Sequence, residues 1–312
     1  MILNNRAFQD ACRTVTRDGR PLEAALCIHQ FAKPCPQLVL GELSKFQNDD
    51  GGFGHGIEPD FLLPDSSPLA TSVALQLLVQ LDQYPGSSSM IRSAIQYLEL
   101  SYDPGSMGWY ATPPTVNDHP HTPWWHFQVD QGMSEIDKNW GNPSAELIGY
   151  LAHYRQHVRR LDVDHLVNIA MGHLHRMTQY DDHEIYCYIR LHNLLPDSQA
   201  VTMRDAISGA VAEVLSHDPH GWEFDYQPRP MDFVGESDHR FGISDDLIEL
   251  NLEYVVDKLT HDGVMRPSWG RRFYTDGLED SWSQWQGILT LQALRFLDWH
   301  NWIDKTGGQG ED

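Results

Sequence analysis

The segment that decides the fold is Gln47-Asn-Asp-Asp-Gly-Gly-Phe-Gly54, a glycine-rich turn that shortly precedes Asp65-Ser-Ser-Pro68. Serine and aspartate cap helix N-termini and proline is favoured in the first turn, so residues 65–68 predict a helix start. Apolar side chains then recur at helical spacing until Tyr84-Pro-Gly86 stops the run: Leu69, Val73, Ala74, Leu77, Leu78 and Leu81. The stretch therefore predicts a tight turn that leads into an amphipathic helix.

The same arrangement recurs along the chain. Further helix starts are predicted at Asn142-Pro143, Ser198, Ser244 and about Asp280, each followed by apolar residues at helical spacing. Alternation typical of strands is scarce. The sequence therefore predicts an all-α protein of about ten or more helices.

Glycine turns similar to the first one separate these helices. They are Asp103-Pro-Gly-Ser-Met-Gly-Trp-Tyr110, Asp218-Pro-His-Gly-Trp-Glu-Phe224 and His261-Asp-Gly-Val-Met-Arg266, with Gln179-Tyr-Asp-Asp-His183 as a degenerate copy. Helix, tight turn and second helix at a regular pitch indicate an array of helical hairpins, either open or closed into a ring. The simpler interpretation is that Gly and Asp occur there only as turn residues.

The first repeat carries a resemblance to a known family. Gln47-x-x-Asp50-Gly-Gly-Phe-Gly54, followed by Ser66-Ser-Pro-Leu-Ala-Thr71-Ser-Val-Ala-Leu75, resembles the repeat of squalene/terpenoid cyclases and of the β subunits of protein prenyltransferases. Asp276–Trp285 with Leu289–Leu294 is similar to a final repeat. The resemblance implies an α/α toroid of antiparallel helical hairpins closing on a central cavity. We expect one such domain over residues 1–312, with an ordered core of about 5–303 and a short polar C-terminal tail.

The chemical signatures of that family are incomplete. Cyclases of class II use Asp-x-Asp-Asp, whereas the nearest string here is Asp162-Val-Asp164-His165. Prenyltransferases bind zinc through Asp-x-Cys, and the matching place reads Asp280-Ser281-Trp282, where indole cannot ligate zinc. Asp245-Asp246-x-x-Glu249 matches a diphosphate–magnesium motif, but favourable interaction with the helix dipole after Ser244 explains it equally well.

Composition excludes one class of partner and suggests another. The chain has 22 Lys and Arg against 44 Asp and Glu, a formal net charge of −22, which opposes binding to nucleic acid or to an anionic membrane surface. It also has 10 Trp, which suit an apolar ligand or a sugar. We therefore expect a small-molecule substrate of apolar or sugar-like character.

The densest group of catalytic side chains follows the first repeat, in His55-Gly-Ile-Glu58-Pro-Asp60-Phe61. A carboxylic acid kept partly protonated by an apolar pocket, near a histidine, can protonate an alkene or a glycosidic oxygen. Asp60 is the best single choice for that acid. An acidic surface loop that caps the next helix is the alternative interpretation.

Asn117-Asp118-His119-Pro-His121-Thr-Pro-Trp124-Trp125-His126-Phe127 is the second group. We predict Asp118 as a catalytic carboxylate, and Trp124, Trp125 and His126 as substrate-binding residues. Indole faces stabilise a carbocation or stack on a sugar ring. A metal site formed by the histidines and a packed plug at the centre of the ring are the alternatives. We predict no metal ligands.

Arg266-Pro-Ser-Trp269-Gly-Arg271-Arg272-Phe273-Tyr274 is a local positive segment in an acidic chain. Guanidinium groups suit bidentate contact with a carboxylate or phosphate. Trp269, Arg271, Arg272 and Trp282 are therefore predicted to bind substrate. Internal pairing of these arginines with nearby acids is the alternative.

Three functional hypotheses follow from these groups. The leading one is an isoprenoid-directed enzyme, a lyase or isomerase resembling terpenoid cyclases, that cyclises a polyprenyl substrate after protonation. A glycoside hydrolase or lyase on the same toroid is the rival, with Glu58 or Asp60 and Asp118 or Glu236 as its carboxylate pair. The third is a toroid that binds a ligand without catalysis.

The sequence also gives expectations for cofactors, location and partners. We expect no cofactor unless the substrate is a diphosphate, which would need Mg²⁺. The N-terminus lacks the apolar stretch of a signal peptide, no segment is long enough to span a membrane, and Cys12, Cys27, Cys35 and Cys187 form no CxxC pair. We therefore expect a cytoplasmic protein with reduced thiols. The resemblance to prenyltransferase β subunits allows a partner subunit.

Overall fold

A computed structural model describes residues 2–235, 237 and 239–305 of the chain. Within these residues the regular structure is helical, and pairing between extended segments is limited to isolated bridges, so the all-α prediction is confirmed. The α-helices are α1 Asn5–Asp18, α2 Pro21–Phe31, α3 Pro36–Leu43, α4 Pro68–Leu81, α5 Ser87–Ser101, α6 Gly141–His153, α7 Val163–Arg176, α8 Asp182–Leu194, α9 Asp197–Ala200, α10 Arg204–Val214, α11 Pro219–Phe224, α12 Pro230–Val234, α13 Asp245–His261 and α14 Ser281–Trp299. Short 3-10 turns lie between them at Ser44–Phe46, Pro114–Asp118, Pro123–Trp125, Ile136–Lys138, Arg155–His157, Val201–Met203 and Arg271–Phe273.

Several of these helices begin where the sequence predicts. The Ser67 side chain accepts a hydrogen bond from the Ala70 amide at the start of α4, with Pro68 in the first turn. Ser244 caps α13 in the same way. One predicted turn is wrong, because the stretch 218–224 contains α11, whose first turn begins with Pro219 after the Asp218 cap.

The chain divides into two compact units. Unit 1 comprises the described residues of Met1–Glu42 and Leu215–Asp312, and unit 2 comprises Leu43–Val214. The single domain expected over residues 1–312 stays a prediction. Among the described residues, no helix combines the length and the apolar character that a membrane crossing requires.

Unit 2 is built around α6. All residues from Gly141 to Leu151 are buried, because α4, α5, α7 and α8 pack against this helix. The first turn of α6 is also satisfied internally, since the Gly141 amide donates to a Glu184 carboxylate oxygen at 2.7 Å.

In unit 1, α1 packs against α2, α13 and α14. The α1 end meets α14 at two glycines, where a Cβ on Gly287 would lie 3.1 Å from the Gly19 Cα. The ends of the described chain also meet, because the Leu3 amide donates to the Trp302 carbonyl at 2.8 Å.

Side chains of the first repeat join its loop to α4 and α5 by hydrogen bonds. Gln47 Nε2 donates to the Gly51 carbonyl at 2.9 Å and to the Met90 carbonyl of α5 at 3.1 Å. Asp50 Oδ1 accepts from the Gly52 amide at 2.9 Å and from Ser66 Oγ at 2.7 Å. The motif therefore holds the α4 entry and α5 against one turn, which is an architectural role.

Gly54 cannot carry a side chain in this turn, because an added Cβ would lie 2.3 Å from the Asp65 carbonyl oxygen and 2.4 Å from that of Pro64. We predict that Gly54→Ala destabilises the protein by about 1–3 kcal/mol, the usual cost of overpacking against backbone that cannot move aside. Urea unfolding followed by circular dichroism measures the change.

Gly209→Ala is the matched control. Gly209 lies inside α10 of the same unit with no atom within 4 Å of an added Cβ. Alanine there should stabilise by about 0.5–1 kcal/mol through helix propensity. Equal stability of Gly54→Ala and the native protein would contradict the role assigned to this turn.

Candidate functional site

Asp60 lies in a buried contact between two loops of unit 2. The carboxylate side chain is only 5% exposed, and Asp60 Oδ2 accepts a hydrogen bond from Trp124 Nε1 at 3.1 Å. Backbone bonds join the same two loops, from the Thr122 amide to the Asp60 carbonyl and from the Leu62 amide to the Pro120 carbonyl, each 2.8 Å. The structure therefore brings together a predicted acid and a predicted substrate-binding tryptophan that are 64 residues apart in sequence.

Hydrogen bonds close the base of the loop that contains Trp124. Asn117 exchanges two hydrogen bonds with the backbone of Phe127, each 2.8 Å. Trp125 is 7% exposed and packs edge to face on Phe61, with ring centroids 5.2 Å apart. Trp125 is thus buried between the two loops, whereas Trp124 is half-buried beside the Asp60 carboxylate.

Two polar atoms near Asp60 are buried and have no hydrogen-bond partner among the described residues. They are the hydroxyl of Thr122 and the indole nitrogen of Trp125. Buried polar atoms are nearly always satisfied, so unsatisfied ones call for an explanation such as a bound group. Their position next to Asp60 makes this the strongest candidate site in unit 2.

The other predicted residues of these loops lie at its edge. His55 is exposed, and His55 Nε2 is 2.8 Å from Asn48 Oδ1 within the first repeat. Glu58 is half-buried and Asp118 is exposed at the end of a 3-10 turn. Glu236 lies outside the described residues.

The histidines of the second loop contact one another. His121 Nδ1 donates to the His119 carbonyl at 2.7 Å, and His121 Nε2 is 3.0 Å from His126 Nδ1. Both ring nitrogens of His121 are thus engaged within the loop. Across the described part of the chain, no group of three or more His, Cys, Asp or Glu side chains could hold a metal ion.

Unit 1 contains the remaining predicted residues in an aromatic cluster. The Trp269 ring meets Tyr226 and Trp285 edge to face, each with centroids 5.1 Å apart, and its indole N–H donates to the Tyr274 hydroxyl. Trp282 packs against Tyr274 at 5.5 Å. Trp269 and Trp282 are both half-buried, so part of each indole surface stays accessible.

Exposed arginines follow this cluster in the chain. Arg271 and Arg272 form no ion pair with any described residue, whereas Arg266 pairs with Asp262 at 2.7 Å. Arg272 lies over the Phe273 ring, 4.8 Å from its centroid. Internal pairing therefore accounts for one of these arginines and leaves two guanidinium groups available to an anion.

A polar cleft of about 260 Å³ also lies in unit 1. It is lined by Thr14, Asp18, Gly19, Asp262, Val264, Ser283, Gln286 and Gly287. Both of its carboxylates have arginine partners, and the hydrogen bond from Arg17 lowers the pKa of Asp18. The cleft therefore lacks a carboxyl group suited to act as a general acid.

Unit 2 also contains a polar network that was not predicted from the sequence. Asn142, Glu146 and Tyr150 occur at successive turns of α6, and this face meets α8. Glu146 is 1% exposed and accepts from the Tyr150 hydroxyl at 2.6 Å and from Arg190 Nη1 at 3.0 Å. A polar residue every fourth position in an otherwise apolar helix is the signal that could have revealed it.

The network also contains a thiol. Cys187 Sγ lies 3.7 Å from Glu146 Oε2 and 3.8 Å from Asn142 Oδ1. Burial, reinforced by the Glu146 charge, raises the pKa of both Cys187 and Tyr150. Both groups thus stay protonated and donate, while Arg190 supplies the positive charge that balances Glu146.

Comparison of the chain with family models, with curated proteins and with solved structures finds no match.

The Glu146–Arg190 pair should matter for stability far more than a surface pair. Arg190→Gln leaves the Glu146 charge buried without its partner, and we predict a loss of about 3 kcal/mol, the lower end for a buried pair because Arg190 is part-exposed. Arg155→Gln breaks a solvent-exposed pair with Asp164 and should cost far less, because water screens the attraction. Urea unfolding of both variants checks the contrast, and equal losses would contradict it.

His173 gives a prediction for pH. The His173 ring stacks on Trp140 with centroids 4.1 Å apart, and burial followed by the charge of Arg176 lowers the pKa of His173. The unfolded chain therefore binds the proton more readily, so stability should fall as pH drops through the unfolded value of about 6.5 toward the lower folded value.

Replacing His173 by Gln should flatten this part of the stability profile between about pH 8 and about pH 5. His175→Gln, at an exposed position of the same helix, is the control and should leave the profile unchanged. The measurement is the free energy of unfolding in urea at each pH. An unchanged profile in His173→Gln would show that other groups cause the dependence.

Proposed function

We propose that the chain is an isoprenoid-directed enzyme in which Asp60 protonates a polyprenyl substrate and so starts its cyclisation. The observation that carries the proposal is a carboxyl group that is 5% exposed, accepts from Trp124 and lies among aromatic side chains. The α/α toroid implied by the repeats is part of the same proposal, and helical pairs are its building blocks.

Burial favours the neutral form of a carboxylic acid, because the charged form loses its hydration. When the proton leaves from one oxygen, the indole N–H on Asp60 Oδ2 remains in place to stabilise the carboxylate. The proton donor and the group that stabilises the conjugate base are therefore held together before the substrate arrives. This arrangement suits transfer of a proton to an alkene.

The surroundings of Asp60 suit the product of that step, a carbocation. The half-buried Trp124 indole beside Asp60 offers a π surface, which attracts cations, and the buried Phe61 and Trp125 rings make the neighbouring packing aromatic. Within unit 1, the half-buried Trp269 and Trp282 and the exposed Arg271 and Arg272 stay predicted substrate-binding residues. His55, Glu58, Asp118 and His126 stay predicted site residues.

The test is turnover. Purified protein is incubated with linear prenyl diphosphates of several lengths and with squalene-like polyenes, and extracts are analysed for cyclic products. Asp60→Asn keeps the shape and the oxygen that accepts from Trp124 but removes the acid, and we predict a loss of at least about 100-fold in rate.

Asp49→Asn is the matched control, because Asp49 is an exposed carboxylate of the first repeat. It should retain full activity. Absence of cyclic products from every substrate, or full activity of Asp60→Asn, would contradict the proposal.

A carbohydrate-active enzyme is the rival, and the same protein samples test it. Release of reducing ends or of unsaturated sugars from polysaccharides, lost in Asp60→Asn, would replace the isoprenoid substrate with a sugar. Binding of polyenes without turnover, unchanged in Asp60→Asn, would identify a ligand-binding protein instead.

A further inference from the structure

Helix α8 is buried on every side except one stripe. Glu184, Ile185, Cys187, Tyr188, Ile189, Leu191 and His192 are all buried. The accessible positions lie along one face at helical spacing: Asp182, His183, Tyr186, Arg190, Asn193 and Leu194. Arg190 therefore lies on the part of α8 that a ligand can reach.

The Arg190 guanidinium is fixed but only partly used. Nη1 donates to Glu146 at 3.0 Å, the side chain is 39% exposed, and no second partner is found among the described residues. A guanidinium carries five N–H donors in a rigid planar fork. The side chain is thus partly exposed, and one hydrogen bond to a protein acceptor is seen for its five donors among the described residues.

Balancing Glu146 does not require this exposure. Glu146 is 2% exposed in its side chain and already accepts from the Tyr150 hydroxyl, with the Cys187 thiol also within reach. A buried ion pair adds little net stability to a protein, because the loss of hydration of the two charges offsets much of their attraction. Its geometric effect here is to hold the Arg190 guanidinium through Nη1 while part of the side chain stays accessible.

We propose that Arg190 is the anchor of an oxyanion-binding subsite, taking a carboxylate or phosphate group of a small-molecule ligand on the α8 stripe. Both groups present paired oxygens that match the guanidinium fork. Tyr186 occupies the preceding turn on the same face of α8. This inference stands apart from the Asp60 proposal, since it uses different residues and predicts binding rather than turnover.

The charge of the protein makes Arg190 decisive for such binding. A net charge of −22 repels anions at long range, so the attraction for an oxyanion must come from short-range contacts such as those of a guanidinium. On α8 the nearest acid of the stripe, Asp182, is two turns away and already accepts from the Tyr186 hydroxyl at 3.2 Å. Competition for the guanidinium thus comes from Glu146 alone on the contacts given above.

Binding is measured by thermal unfolding and by calorimetry with inorganic phosphate, pyrophosphate and acetate, at constant ionic strength set with chloride. The native protein should show saturable binding and a raised unfolding temperature with phosphate, acetate or both. Phosphate without acetate identifies a phosphate-bearing ligand, and acetate without phosphate a carboxylate-bearing one. No binding of any of the three would overturn the proposal.

Two variants locate the site without leaving a buried charge alone. Arg190→Lys keeps the positive charge beside Glu146 but loses the fork, and we expect binding about tenfold weaker. The double variant Glu146→Gln with Arg190→Gln replaces the ion pair by a neutral hydrogen bond and should abolish the part of the phosphate or acetate binding that belongs to the Arg190 subsite.

Arg155→Gln, which removes an exposed arginine of the same unit, is the control and should bind like the native protein. Circular dichroism and unfolding curves establish that each variant is folded. Native affinity in both Arg190 variants would overturn the assignment, because any anion bound would then lie elsewhere.

Discussion

The burial of α6 from Gly141 to Leu151 is the constraint on which unit 2 depends. A helix enclosed on all sides has no water to satisfy its polar groups, so each one needs a partner from a neighbouring helix. Helix α8 provides them: Glu184 accepts from the Gly141 amide at the α6 start, and Arg190 balances Glu146 one and a half turns further on. The position of α8 against α6, and hence the stripe it leaves accessible, follow from this requirement.

The residues that carry the family resemblance are the ones with architectural roles. Gln47, Asp50 and Gly54 fasten one loop to α4 and α5, and Thr71 Oγ1 accepts from the amide of the buried Phe53. A motif used in this way can persist under different chemistries, because the loop geometry it secures does not depend on the substrate. The repeat is therefore evidence for helical pairs, and the substrate must be argued from Asp60 and its neighbours.

Contacts between residues close together in the sequence could be predicted from it, and contacts between distant residues could not. Helix starts at Ser67 and Ser244 were predictable, because a cap and its amide are three residues apart. Asp218-Pro-His-Gly221 was assigned to a turn although Pro219 also favours a first helical turn, which is what forms. The Asp60–Trp124 and Glu146–Arg190 contacts join residues 64 and 44 positions apart, and a single sequence carries no local signal for such pairings.

Asp60 and Glu146, two of the buried carboxylates of unit 2, differ in the donor each accepts from, and that difference separates their chemistry. Glu146 accepts from a guanidinium, so protonating it would leave Arg190 as an unbalanced, partly buried charge. Asp60 accepts from a neutral indole, so gaining or losing a proton there strands no partner charge at that contact. Glu146 is consequently suited to hold a fixed cation in position. Asp60, whose donor Trp124 is neutral, is suited to exchange a proton.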